Sequence, residues 1–199
     1  MRRSRLRRLT MAALCGAVAF VLMYFSFSVP FLSLFAEFEF SSLAELIGGF
    51  VLGPVGAMEI IVVKILLKTA FKGSLSMLTG ELQALLLSMS YVLPAVFYYR
   101  RHRTKKGAII GMALGTVFSV VMSVFTNIYL IFPAYIALYG MNWEGIIEMC
   151  AAVNPHITSV PTFIAFSIVP FNVISRMVIS VITFFVYKKI SVPIKKFVQ

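Results

Sequence analysis

Long tracts of this 199-residue chain carry no charge: no Lys, Arg or Glu interrupts 9–36, 46–58, 82–99, 107–143 or 149–175. Asp is absent, and the seven acids are all Glu, running from Glu37 to Glu148. A helix needs about 20 apolar residues to cross the hydrocarbon core of a bilayer, so tracts of this kind are candidate spans. Composition agrees, with 60% hydrophobic residues, 13% charged residues and a mean hydropathy of +0.96. A soluble chain is about half apolar and about a quarter charged, so the excess apolar surface here has no core large enough to hide in. The chain reads as an all-α integral membrane protein, one membrane domain over residues 1–199.

The 18 cations are clustered. Arg2, Arg3, Arg5, Arg7 and Arg8 open the chain; Arg100, Arg101, Arg103, Lys105 and Lys106 lie mid-chain; Lys188, Lys189, Lys195 and Lys196 close it. No acid lies within these clusters. They flank apolar tracts, so the positive-inside rule is a better reading than nucleic-acid binding, and it makes all three regions, both termini included, cytoplasmic. The basic start followed by an apolar tract resembles a signal peptide, but the tract is long and no small-x-small cleavage site follows, so a retained helix is expected.

Crossing parity decides the hardest segment. Reading 43–67 as one span places the 100–106 cluster outside. Breaking it at Gly53-Pro54 restores the cluster to the inside, and the break is physically reasonable because Pro cannot continue a helix and Gly supplies a turn. The first of the two resulting helices is short and is expected to sit against protein. The map is a compact bundle of six helices, about 8–28, 40–52, 54–70, 75–99, 107–129 and 159–188, with outer loops at 28–39 and 131–160. A short helix near 143–151 is expected in the second loop, and the two loops together suit a lid over a site facing outside.

Catalytic signals are missing. There is no GxxxxGK[ST] loop to hold ATP phosphates, no nucleophile triad, and Cys15 and Cys150 form neither a disulfide framework nor a metal spacing. An enzyme is not expected, nor a metal. Ionisable groups inside a bilayer are costly and point to function by default; the candidates are Glu45, Glu59, Lys64, Glu81 and Arg176. Structural ion pairing among them is the plainer reading. Asn127 and Asn172 lie deep in apolar helices, where each must satisfy a donor and an acceptor. They either bond neighbouring helices or read the edge of a flat heterocycle that alternates carbonyl and N–H groups. His156, beside Pro155, is a weaker ligand candidate.

Several segments, taken in order, resemble one family. They are LTMAALCGAVAFVLM at 9–23, PFLSLFAEFEFSSLAELIGGFVLGPVG at 30–56, TGEL at 79–82, TNIYLIFPAYIALYGM at 126–141, NPHITS at 154–159 and VPFNVISR at 169–176. Together they are similar to the riboflavin-specific S components of energy-coupling-factor (ECF) transporters, which have six helices and cytoplasmic termini. The resemblance implies capture of riboflavin from outside as a transported ligand, with no cofactor. It also implies docking on a transmembrane coupling (T) subunit driven by two ATPase subunits in a bacterial cell membrane. Asn127 and Asn172 match the family's ring-holding amides, with Glu39 as an acceptor for ribityl hydroxyls. Phe40, Leu43, Tyr129 and Tyr135 are the expected walls. Lys64, Glu81, Ser175 and Arg176 complete the expected site. A small-residue face on the first helix, Ala13 and Ala17 with Gly16 beside them, matches the family's docking surface.

The sequence departs from the family pattern at Ser42, where an acid is common, at Ile65 and Ala84, where Asn is usual, and at Ser175, where Lys is common. A modified flavin or another vitamin is therefore an alternative ligand. A stand-alone proton- or ion-coupled carrier using Glu59, Lys64 and Glu81 as a relay is an alternative of another class, as is a membrane assembly subunit without a small ligand.

Overall fold

The computed structural model describes the backbone of residues 2–29, 33–74, 77–140 and 142–198; side chains at 2–4, 29, 33–36, 188, 191–195 and 197–198 lie outside the description. Five helical rods are long and apolar enough to cross a membrane. The first is α1 (Arg2–Met23). Next comes a small antiparallel hairpin, β1 (Phe27–Val29) with β2 (Ser33–Phe38), in the register Phe27 opposite Phe38 and Ser28 opposite Glu37. α2 (Ser41–Lys72) and α3 (Thr79–Arg101) follow. The fourth rod is α4 (Lys105–Thr126), continued through a π-helical turn (Asn127–Ile131) into α5 (Phe132–Tyr139). After α6 (Trp143–Ala151), the last rod joins α7 (Val160–Phe163), a second π turn (Ile164–Ile168) and α8 (Val169–Val198).

α2 is broken where the sequence asks for it. Gly53 adopts φ +83°, a conformation that L side chains rarely adopt, and Pro54 follows. Beyond the break the chain doubles back. Lys64 Nζ reaches Ser41 Oγ at 3.2 Å, and a Cβ added at Gly49 would lie 3.0 Å from that of Ala57. The halves 41–52 and 54–72 thus form a helical hairpin, the split that parity demands. The first half is buried almost throughout. At about 18 Å by helical rise, it leans on protein along its length.

The three cationic regions share one end of the bundle. Arg8 donates to the Leu52 carbonyl at 2.8 Å, and Arg8, Gly53, Arg100 and Arg103 line one depression. Tyr99 and Tyr187, at the ends of α3 and of the spanning part of α8, meet at 3.0 Å between hydroxyls. The core above this end joins Leu46, Phe50, Ile61, Tyr91, Val92 and Met112. Gly111 and Gly115 let α4 press on the α3 backbone: a Cβ at Gly111 would lie 2.7 Å from the Ala95 carbonyl oxygen, and one at Gly115 would collide with that of Tyr91. Outward-facing Leu66, Val117, Val121, Met177, Val181 and Phe185 are exposed, an apolar belt that requires lipid.

Several expected boundaries are corrected. The helix expected over 8–28 ends at Met23, because Phe25-Ser26-Phe27-Ser28 alternates aromatic and polar residues with the period of a strand and leads into the hairpin β1–β2, inside the expected loop 28–39; residues 30–32 of that loop lie outside the described ones. The span 107–129 runs on to Tyr139, because the π turn Asn127–Ile131 carries the rod past Pro133 into α5. The expected loop 131–160 is therefore largely helical, and its short helix, α6, falls at 143–151 as expected.

Candidate functional site

At the end opposite the cations, α2, α3, α4 and α8 part around a cavity of about 250 Å³. Two π turns border it. A π turn carries one extra residue, which displaces the helical register and frees main-chain groups, and such turns recur at functional sites. Asn127 opens the first turn, and its amide nitrogen donates to the Ser123 carbonyl at 2.7 Å. Asn172 follows the second by one helical turn and donates in the same way to the Ile168 carbonyl at 2.9 Å. Each amide thus spends a donor on its own helix while its side chain borders the cavity. Aromatic walls come from Phe132, Tyr135, Phe163 and Phe171. Behind them, α6 and the segment after it build a second core: Ile146, Cys150 and Ile157 pack on Phe132 and Phe163, with Trp143 at its edge. The outer connection therefore fixes the walls from behind. Burial pushes the Cys150 thiol up from its ordinary pKa, which keeps it protonated and inert.

One side of the cavity is charged. Lys64 is 1% exposed and pairs with the fully buried Glu45 at 2.5 Å. Its ammonium also donates to Ser41 Oγ at 3.2 Å and Ser88 Oγ at 3.0 Å. Ser41 passes a 2.7 Å bond on to Glu39, and Ser88 a 3.2 Å bond on to Glu45. A buried ion pair survives desolvation only with such extra partners. One Glu45 oxygen, Oε2, is left with no hydrogen-bond partner among the described residues. Glu39 and Lys64 thus form one network, with Glu37 and Lys68 beside them on the lining.

Arg176 reaches the cavity beside Ser175. Its guanidinium lies over the Tyr91 ring at 4.9 Å, donates to Ser119 Oγ at 3.2 Å and to Ser42 Oγ at 2.9 Å, and meets no carboxylate among the described residues. Ser42, which departs from the family pattern, is therefore held by Arg176, the neighbour of the departing Ser175. Ala84 also lines the cavity; Ile65 does not.

Seven expected site residues converge here: Glu39, Lys64, Asn127, Tyr135, Asn172, Ser175 and Arg176. Four do not reach the lining. Tyr129 is 68% exposed and packs on Phe125, because two residues along the π turn carry it to the side of the rod away from Asn127. Phe40, just before α2, turns into the aromatic cluster of Phe27 and Phe38. Leu43 is half-buried but off the lining. Glu81 pairs with Lys68 at 3.4 Å and accepts from Ser74 at 2.7 Å, tying the turn before α3 to the end of α2. His156 is exposed near Phe166. The relay of Glu59, Lys64 and Glu81 is not assembled: among the described residues Lys64 forms an ion pair with neither Glu59 nor Glu81. Glu37, Gln83, Ser88 and Phe171 line the cavity unannounced, and only the helical spacing of Ser88 from Glu81 and Ala84 hinted at one of them.

On α1, Ala13 is exposed and Ala17 half-buried, whereas Gly16 turns inward. A Cβ at Gly16 would lie 2.6 Å from Val63 Cγ1, so its smallness serves packing against α2 rather than an outer face.

The family described as "ECF transporter, substrate-specific component" matches residues 7–187. The chain is 28% identical to the riboflavin transporter RibU of Staphylococcus aureus (strain TCH60), over 96% of this chain and 93% of that protein. It is 24% identical to the riboflavin transporter FmnP of Bacillus subtilis (strain 168), over 94% and 93%. A solved structure described as "Structure and mechanism of the S component of a bacterial ECF transporter" superposes with a TM-score of 0.73 at 27% identity, covering 96% of this chain and 99% of that one.

Proposed function

The chain belongs to the substrate-specific components of ECF transporters, and from that premise we propose that it is the riboflavin-binding subunit of a bacterial vitamin importer. The carrying observation is the pair of amides, Asn127 and Asn172, each beside a π turn and facing one aromatic-walled cavity. An amide offers a donor and an acceptor side by side, which matches the imide edge of an isoalloxazine ring. Phe132, Tyr135, Phe163 and Phe171 supply apolar faces for a flat ligand. Glu39 lies where ribityl hydroxyls find an acceptor, and Lys64, its own donors committed to Glu45, Ser41 and Ser88, positions it through Ser41.

The cationic end, with both termini, faces the cytoplasm by the positive-inside rule, so the cavity opens outside. Delivery inward falls to partners, a T subunit and two ATPase subunits, since the chain carries no phosphate-binding loop of its own. The exposed Ala13 and half-buried Ala17 on α1 support a close helix contact with the T subunit.

Fluorescence titration of the detergent-purified protein with riboflavin tests the pocket. Asn127→Ala and Asn172→Ala should each weaken binding by about 1–3 kcal/mol, the cost of an unpaired polar edge. If both variants fold and bind riboflavin as the parent does, the assignment is wrong.

A further inference from the structure

Away from the vitamin cavity, the cationic end holds a second recess. About 460 Å³ opens between α4 and α8, with Arg103 and Lys105 at its mouth and Phe50, Ala108, Met112 and Phe184 along it. Met112, Phe184 and Phe185 continue into an apolar groove of about 550 Å³ on the outer face of the same two helices, past Ala113 and Val181. The vitamin site uses none of these residues.

Three observations agree on the occupant. The mouth is electropositive: Arg103 and Lys105 are exposed and meet no acid among the described residues, and the N-terminus of the 22-residue α4 adds its partial positive charge. Deeper in the recess, the Thr183 hydroxyl is fully buried and has no hydrogen-bond partner among the described residues. A buried polar group left so costs free energy unless something bonds it. Beyond it the groove is apolar and faces the lipid belt. A headgroup of negative charge, ester oxygens just below it, and a hydrocarbon chain follow in that order in one class of molecule.

We propose that this groove is a binding site for an anionic phospholipid of the adjoining leaflet. Its phosphate sits on Arg103 and Lys105, an ester oxygen accepts from Thr183, and an acyl chain lies along Met112, Ala113 and Phe185. Near a membrane surface each Lys or Arg contributes about 1 kcal/mol of attraction for anionic lipid, so two cations give a preference of about tenfold or more.

Native mass spectrometry of the full chain in detergent tests this, with dioleoyl-phosphatidylglycerol and dioleoyl-phosphatidylcholine offered at equal concentration and glycerol phosphate as a headgroup without chains. One phosphatidylglycerol should be retained about tenfold over phosphatidylcholine, and glycerol phosphate should not displace it. Arg103→Gln with Lys105→Gln should abolish the preference while leaving the unfolding temperature in phosphatidylcholine unchanged. Ala113→Phe should reduce retention of both lipids. Equal retention by the parent protein, a preference that survives the double substitution, or displacement by glycerol phosphate would each overturn the proposal; the parent comparison holds whether or not a variant folds.

Discussion

The two ends of the bundle solve opposite problems with one stripe of α4. At the cationic end, Gly111 and Gly115 bring α4 onto the α3 backbone, and Gly107 clears the turn at His102. One and two turns further on, the same face carries Ser119 and Ser123, both buried, and then Thr126. Ser119 bonds Arg176, and Thr126 accepts from Gln83 at 3.4 Å beside the cavity. The stripe changes from residues that let α4 touch α3 to residues that hydrogen-bond across to α3 and α8. Close packing at one end supplies a rigid base, and the ligand end can hold buried charge because its geometry is fixed from below.

That contrast can be broken from either side. The largest effect is expected from Glu45→Ala, which leaves Lys64 charged and buried with its principal partner removed, at a cost of about 3–5 kcal/mol. Unfolding in detergent measures it. Pairing Glu45→Leu with Lys64→Met should recover most of the loss, which would show the pair to be dispensable for stability. Gly115→Leu should cost about 1–3 kcal/mol or more by forcing α4 from α3, and a parent-like unfolding midpoint would refute the close-packed base. On α1, Ala13→Trp should abolish vitamin uptake in cells while leaving stability and riboflavin affinity within about 0.5 kcal/mol of the parent, as expected of a surface change. Gly16→Trp, one residue set inward, should instead destabilise the protein. The smallest effect belongs to Tyr129→Ala, which should leave riboflavin affinity within about 0.5 kcal/mol; a larger loss would return Tyr129 to the cavity wall.

Much of the frame was legible because bilayer physics leaves few choices. Apolar tracts located the rods, and cation parity located the break at Gly53-Pro54, a feature that hydropathy alone hides. Local departures from regular period were harder. Phe alternates with Ser or Glu only at the two ends of the 27–38 hairpin, in Phe25-Ser26-Phe27-Ser28 and Glu37-Phe38-Glu39-Phe40, and the stretch between them is an apolar run that also suits a helix. Pro133 signals a stop, and only the structure shows the π turn that carries the rod through it. Within the site, the amides were readable because a buried Asn demands partners. Of the expected walls only Tyr135 lines the cavity: Tyr129 lies within the first π turn and faces away from it, and Phe132, Phe163 and Phe171 take the places expected of Phe40 and Leu43. The contact of Ser42 with Arg176 spans 134 positions, a pairing that no local pattern encodes.

The broken α2 also constrains how the protein is made. The half 41–52 is short and carries Glu45, Ser41 and Ser42 on buried faces, so it cannot partition into lipid alone. A stretch of about 10–14 apolar residues is a core helix rather than a span. Its entry into the membrane depends on 54–72 arriving with it, and Lys64, which neutralises Glu45, lies on that second half. The two halves therefore carry each other's desolvation, and the hairpin 41–72 is stable within the membrane only as one unit.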